Sequence, residues 1–315
     1  MTEEPIRLRG ARVLVTGASG FIGRRLCRRL AEAGARVHGT GRSGELTSEE
    51  LEGRSRGDLA EEGFARGLVE ETRPDLVFHL ASRVTGSRDP TAVLPTFHAN
   101  LTSTVNLLVA AREAGCRRLV LAGSMEEPEP DAGALPVPAS PYAASKAAAS
   151  AYARMFHALY GLPVVTARLF MVYGPGQRDP RKLVPYVALS LLRGERPRLS
   201  SGRRPVDWIY LDDAVEGLTA LATAPGIEGE RLDLGSGELV TVRDVAERLA
   251  GIARSAGAAA ELGLGELADR PLESVRRADA ERTHERTGWT PTVPLDEGLR
   301  RTFEAYRRAR EPGTG

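Results

Sequence analysis

Residues 12–23 read Arg12-Val-Leu-Val-Thr-Gly-Ala-Ser-Gly-Phe-Ile-Gly23, and they decide the fold. Arg12 to Thr16 is a short apolar run, predicted to be a buried strand. Gly17, Gly20 and Gly23 follow at G-x-x-G-x-x-G spacing. Ile22, Leu26 and Leu30 recur at helical spacing, Gly34 is placed to end the helix, and Arg36 to Thr40 reads as a second strand. A glycine fingerprint inside such a strand–turn–helix–strand unit predicts a dinucleotide site. The glycines allow a tight turn, a close approach to pyrophosphate and close helix–strand packing, and the helix N-terminus then faces the phosphates. Gly17, Ser19, Gly20, Phe21, Ile22 and Gly23 are the expected contacts.

The end of the second strand chooses the cofactor. An acidic residue there would hold a ribose 2′-hydroxyl and favour NAD. This chain has Gly41 and Arg42 instead, and a guanidinium pairs with a 2′-phosphate. NADP(H) is therefore favoured, with NAD(H) the alternative if Arg42 is only a solvated cation. Asp58, followed by Leu59, either meets the adenine amino group or caps the next helix. Asp75 to Ala81 reads as a buried parallel strand, which places Leu80, Ala81, Ser82 and Arg83 beside cofactor or substrate. A helix is expected from Thr91 to Gly115, with Leu101, Val105, Leu108 and Val109 inward and Asn100 structural.

The whole chain narrows the class. Its 315 residues suit a large α/β domain with a smaller lobe. A net charge of +1 gives no reason to expect nucleic acid or an anionic membrane as partner. No apolar run approaches ~18 residues. Two cysteines and five scattered histidines give neither a disulfide framework nor metal-ligand spacing, so no metal and a reduced, cytoplasmic setting are expected.

Ser140-Pro-Tyr-Ala-Ala-Ser-Lys146 opens a helix, with Ser140 as N-cap and Pro141 at the first position. Tyr142 and Lys146 share one face. An ammonium near a phenol favours phenolate, and such a tyrosine can exchange a proton with a carbonyl or alcohol oxygen. Ser124, ending the strand expected at Arg117 to Gly123, can donate a hydrogen bond to the same oxygen.

These pieces together resemble the extended short-chain dehydrogenase/reductases that act on nucleotide sugars. The matching residues are 16–23, 57–59, 79–82, Ser124, 142–146, Val172-Tyr-Gly-Pro-Gly-Gln177 and Asp207-Trp-Ile-Tyr-Leu-Asp-Asp-Ala214. The resemblance implies a Rossmann-type doubly wound parallel α/β sheet over 1–173. A smaller mixed substrate lobe would span 174–315, with 206–235 returning to the first domain. It implies Ser124, Tyr142 and Lys146 as the catalytic trio, with Lys146 also on the nicotinamide ribose. It further implies a nucleoside-diphosphate hexose as substrate, bound between the lobes, and a homodimer that pairs through nucleotide-domain helices such as 143–159.

The chain also departs from that pattern. Met171 replaces a frequent Asn, Val206 a usual Arg, and Glu127-Pro128-Glu129 the familiar Val-Tyr-Gly. Phosphate contacts must then come from other cations, and Arg178, Arg204 and Arg270 are candidates on an Arg-rich surface. Glu126 stands at the spacing of a catalytic Glu in family dehydratases and decarboxylases, or merely lines the sugar pocket with Met125. Met125 replaces an Asp of many dehydratases, and a thioether cannot protonate a leaving hydroxyl. The favoured expectation is an NADPH-dependent reductase of a nucleotide-bound 4-keto-6-deoxy sugar. The alternatives are an epimerase, dehydratase or decarboxylase on retained NAD, and a non-catalytic NADP-binding protein.

Overall fold

Val13, Leu14 and Val15 carry no charge and no helix former's spacing, and they form the middle of strand β1 (Arg12–Thr16). A computed structural model describes residues 6–42, 50–129, 137–258, 260–269 and 275–310. Arg270, residues 43–49 and residues 311–315 lie outside the described residues.

The chain continues through α1 (Phe21–Glu32), β2 (Arg36–Gly41), β3 (Gly53–Arg56), α2 (Glu62–Thr72) and β4 (Leu76–His79). There follow α3 (Val93–Thr96), α4 (Ser103–Glu113), β5 (Arg118–Ser124), α5 (Pro141–Tyr160) and β6 (Val164–Leu169). Next come β7 (Met171–Tyr173), α6 (Leu183–Leu192), β8 (Pro205–Tyr210), α7 (Leu211–Thr223), β9 (Arg231–Leu234) and β10 (Leu239–Thr241). The described chain ends with α8 (Val242–Ser255), α9 (Ala280–Thr287) and α10 (Leu295–Arg310).

Seven strands form one sheet in the order β3-β2-β1-β4-β5-β6-β9. Every pair in it is parallel. Buried on both faces, β4 and β5 show no alternation, as parallel strands should. Leu14, Val77, Leu107, Leu108, Leu119, Leu121 and Phe156 form the core beneath α2, α4 and α5. Strand order reverses between β1 and β4, and ligands of such sheets bind at that reversal, beyond the carboxyl ends. This is the expected doubly wound class.

Two compact units emerge. One is built from the chain up to Leu169, Val215–Leu234 and Arg282–Trp289, the other from Phe170–Ala214, Gly235–Glu281 and the chain from Thr290 on. The returning segment thus begins at Val215, not 206, because β8 pairs with β7 and β10 in a separate three-stranded mixed sheet. That sheet is tied down by Asp207, which is fully buried and accepts from Ser236 N, Gly237 N and Ala278 N at 2.7, 2.9 and 3.0 Å. Thr241 caps α8 with a complete capping box through Asp244. Leu299 and Phe303 are the inward face of α10.

One expected helix differs. Thr91 to Gly115 is not one helix: a 3-10 turn at Pro90–Ala92 and a π-helix at Phe97–Thr102 break it. The fully buried residues of α4 are Ser103, Thr104, Leu107, Leu108, Ala110 and Ala111; Val109 is half-buried against the core, as expected, and Val105 lies off it. Before α6, Asp179 accepts from Arg181 N and Nε at 3.0 and 2.8 Å in a turn, and the helix begins at Leu183. Among the described residues no helix is long and apolar enough to cross a membrane, and no cluster of side chains could hold a metal ion. Cys27 and Cys116 are free and buried.

Candidate active site

The turn after β1 is shaped by absent side chains. Gly17 has φ +68°, and a Cβ there would sit 2.8 Å from Ala81 N. A Cβ on Gly23 would sit 2.1 Å from Gly17 O. The first turn of α1 therefore lies hard against the turn, and Leu80, Ala81 and Ser82 cross beside it. Gly20 is the N-cap of α1 with no side-chain cap bond, and the first turn carries no acidic residue. Amide groups so exposed, at the positive end of a helix dipole, suit a pyrophosphate. Phe21 and Ile22 are half-buried behind them. The site fits a dinucleotide on these grounds.

Arg42 is exposed at the end of β2, with Nη1 3.7 Å from Asp58 Oδ2. Arg56, at the paired position of β3, donates from Nε to Arg42 O at 3.1 Å. The sequence reading overlooked Arg56, which lies in a segment with no apolar signal. Asp58 does not cap α2, whose N-cap is Glu61. Its Oδ1 instead accepts Ala60 N–H at 2.9 Å, building the turn before the helix. The Leu59 side chain belongs to the core, so only its backbone can face a ligand.

A buried hydrogen-bond chain holds the strand tips. Thr104 Oγ1 donates to Asn100 O at 2.5 Å, so it must accept from His79 Nε2 at 3.0 Å. His79 Nδ1 then accepts from Thr16 Oγ1 at 2.8 Å, and Thr16 Oγ1 accepts Ala81 N–H at 3.1 Å. Burial pushes His79 down to about 3, from the ordinary 6.5, so the ring stays neutral. Between those values the unfolded chain binds a proton that the native fold refuses. Stability therefore falls as pH falls through this window, by about 1.4 kcal/mol per pH unit. In His79→Gln that one-proton slope is expected to vanish from urea unfolding measured at about pH 6 and about pH 5. An unchanged slope would mean that His79 does not supply it.

Asn100 does more than fill a helix. It sits in the π-helical stretch, where such bulges re-aim side chains. Its Oδ1 accepts from Arg83 N at 2.7 Å and Ser82 Oγ at 3.1 Å, and Nδ2 donates to Ser145 Oγ at 2.9 Å. Ser145 Oγ in turn donates to Tyr142 O at 2.8 Å. One amide thus brackets the loop after β4 and the first turn of α5. Arg83 itself is exposed.

Ser140 caps α5 through Ala143 N at 3.1 Å, with Pro141 inside the first turn. Tyr142 and Lys146 are 8% and 5% exposed. The Tyr142 phenol lies beside the Ser124 side chain, which acts on it as a hydrogen-bonding neighbour that lowers its pKa. Ser124 Oγ also accepts Glu126 N–H at 3.2 Å. The structure thus brings Ser124, Glu126 and Tyr142 together, with Met125 buried beside them. Lys146 Nζ donates to Ala122 O at 2.8 Å, one strand residue pair before Ser124.

The electrostatics correct one expectation. Burial pushes the Tyr142 phenol up, with Glu126 and Glu127 adding to the rise, and the Ser124 hydrogen bond is what opposes it. Lys146 does not depress the phenol here, because its ammonium is turned to Ala122 O. Burial brings Lys146 itself down to about 8. Arg178 and Arg204 belong to the second unit, the first exposed and the second half-buried just before β8.

A family model described as the NAD dependent epimerase/dehydratase family matches residues 13–235. The chain is 34% identical to a UDP-glucose 4-epimerase of Mycolicibacterium smegmatis, over 94% of this chain and 98% of that protein. It is 30% identical to the human dTDP-D-glucose 4,6-dehydratase, over 97% of this chain and 93% of that one. Among solved structures, the Thermus thermophilus UDP-glucose 4-epimerase in complex with NAD superposes with a TM-score of 0.82 at 30% identity, covering 95% of this chain and 99% of that one. With its glycine cradle, parallel sheet and Ser–Tyr–Lys cluster in family order, the chain belongs to the NAD-dependent epimerase/dehydratase family.

Proposed function

We propose that the protein is an enzyme that epimerises a nucleoside-diphosphate hexose, removing hydrogen from one carbinol carbon and returning it to the opposite face. The observation that carries this reading is the buried Ser124–Tyr142 pair, set at the strand tips beside a glycine cradle built for a dinucleotide. The likeness to a UDP-glucose 4-epimerase over nearly both full lengths supports the sugar class. A bound nicotinamide dinucleotide supplies the hydride acceptor and donor. Gly17, Ser19, Gly20 and Gly23 would hold its phosphates. Tyr142 takes the hydroxyl proton in one half of the reaction and gives it back in the other. Ser124 donates a hydrogen bond to the same oxygen and steadies its developing charge. Lys146, on the Tyr142 face, favours the phenolate when its ammonium turns from Ala122 O. Met125 speaks against full 4,6-dehydration.

The test is to incubate the protein with UDP-glucose and NAD. Formation of UDP-galactose without net change in cofactor is expected. NADPH consumed stoichiometrically with a nucleotide 4-keto-6-deoxyhexose, and no epimerisation, would replace this reading by the next.

A reductase of a nucleotide-bound 4-keto-6-deoxy sugar is the second reading, and one feature favours it. Arg42 and Arg56 stand together where a carboxylate would select NAD, and exchangeable NADPH suits a stoichiometric reductase. On this reading Arg42→Ser weakens NADPH roughly tenfold, about 1.4 kcal/mol, and leaves NADH unchanged. Equal dissociation constants for both cofactors, before and after substitution, would remove its support.

The homodimer belongs with these proposals. Val93, Leu94 and Phe97 before α4, and Tyr152, Leu159 and Tyr160 on α5, are exposed apolar side chains. A monomer by sedimentation velocity would end that proposal.

A further inference from the structure

The chain departs from the resembled pattern just after Ser124, where Glu127-Pro128-Glu129 stands for Val-Tyr-Gly. Glu127 is only 2% exposed. Its Oε1 accepts Ser124 N–H at 2.7 Å, and its own N–H donates to Ser124 O at 3.1 Å. β4 pairs with β5 only as far as His79↔Leu121, so the Ser124 amide lies past that ladder. A valine side chain would offer it no acceptor.

Two further observations show that the segment is built in. A Cβ on Gly123 would sit 2.7 Å from Glu127 Oε1 and 2.9 Å from Thr166 Cγ2, so the carboxylate packs directly on the strand backbone. Two residues on, Glu129 pairs with Arg168 and, at 2.7 Å, with Arg231. Arg168 is itself held by Asp233 through contacts of 2.6 and 2.7 Å. The Glu-Pro-Glu segment is thus fixed to β5 at one end and to β6 and β9 at the other.

We propose that Glu127 is a positioning residue: it fixes the main chain of Ser124 so that the hydroxyl meets Tyr142, while the Glu129–Arg168–Arg231 cluster anchors the segment that carries it. The proposal rests on the reading of Ser124, Tyr142 and Lys146 as the proton-transfer group. The charge of Glu127 is felt by Tyr142 and Lys146 from α5 and by Arg231 from β9, with Glu126 beside it on the same turn. Removing that charge lowers both the phenol and the ammonium, so a limb of kcat/KM set by either group moves to lower pH.

The test compares full-length wild type, Glu127→Gln and Glu127→Val. The readouts are amide hydrogen exchange at Ser124, titration of the Lys146 amine by NMR, and turnover of UDP-glucose as probe. In Glu127→Val, Ser124 exchange should rise and kcat fall roughly a hundredfold, with KM within about threefold. Glu127→Gln keeps an acceptor oxygen, so it should restore exchange protection and most of kcat, while Lys146 still titrates lower than in wild type. Unchanged Ser124 exchange in Glu127→Val, or Glu127→Gln no better than Glu127→Val, would overturn the proposal. If Glu127→Val fails to fold, Glu127→Ala takes its place, and unchanged Ser124 exchange there overturns the proposal. Turnover by Tyr142→Phe would instead sink the proton-transfer reading, and the exchange data would still judge Glu127.

Discussion

Tyr142→Phe is expected to lose turnover by roughly 10²–10⁴-fold while cofactor dissociation constants stay within about twofold. The ring is buried in the first turn of α5, so phenylalanine keeps its packing. The substitution removes one oxygen and its bond to Ser124. Ser124 keeps its bond from Glu126 N–H, so no buried hydroxyl is orphaned, and stability should change by about 1 kcal/mol or less. The chemistry loses its proton carrier outright. On the reductase reading, in which Tyr142 gives up its proton, kcat/KM should show an alkaline limb near pH 8, where Lys146 gives up its charge. The phenol remains protonated beyond that, because burial holds it above its ordinary value. Turnover and calorimetric melting of the two proteins check this. A variant that still converts substrate at the wild-type rate would mean that Tyr142 is not the proton carrier.

Much of this site was legible because its signals are local. Gly17 with its φ of +68° and Gly23 with its missing Cβ against Gly17 O answer demands within one turn, and Ser140-Pro141 is a cap that depends on three neighbouring residues. Ser124 and Tyr142 were readable as partners because one ends a strand and the other opens the next helix. What stayed hidden is long-range. Asn100 looks like a polar residue in a helix, and only the π-helical turn aims it at both Ser82 and Ser145. Arg56 gains meaning from its register opposite Gly41, which no local pattern announces. The direction of the Tyr142 shift was misread for a similar reason. Sequence spacing places a lysine near the phenol, but it does not say that the ammonium faces Ala122 O or how deeply the ring is buried. The boundary of the returning segment was also nonlocal, since β8 could have joined either sheet until its pairing with β7 and β10 was known.

Two alanine substitutions in the glycine fingerprint should have different consequences, and the difference separates fold from function. In Gly23→Ala the new Cβ falls 2.1 Å from Gly17 O and 2.9 Å from Gly17 C. Both are backbone atoms, so no rotamer change relieves the clash, and α1 must move off the β1 turn. Such overpacking costs about 1–3 kcal/mol. The displaced helix also carries its N-terminal amides away from the phosphates, so dinucleotide affinity should fall roughly a hundredfold or more. Gly20 is different. Its φ of −74° suits any residue, it is exposed, and an added Cβ meets only Gly17 O at 3.0 Å. Gly20→Ala should therefore melt within a few degrees of wild type, yet bind dinucleotide roughly tenfold or more weakly, because the methyl group occupies the approach to the helix N-terminus. Calorimetry and cofactor titration on both variants decide the matter. Equal loss of stability in the two would mean that Gly20 serves packing alone, and full cofactor affinity in Gly20→Ala would move the pyrophosphate away from this cradle.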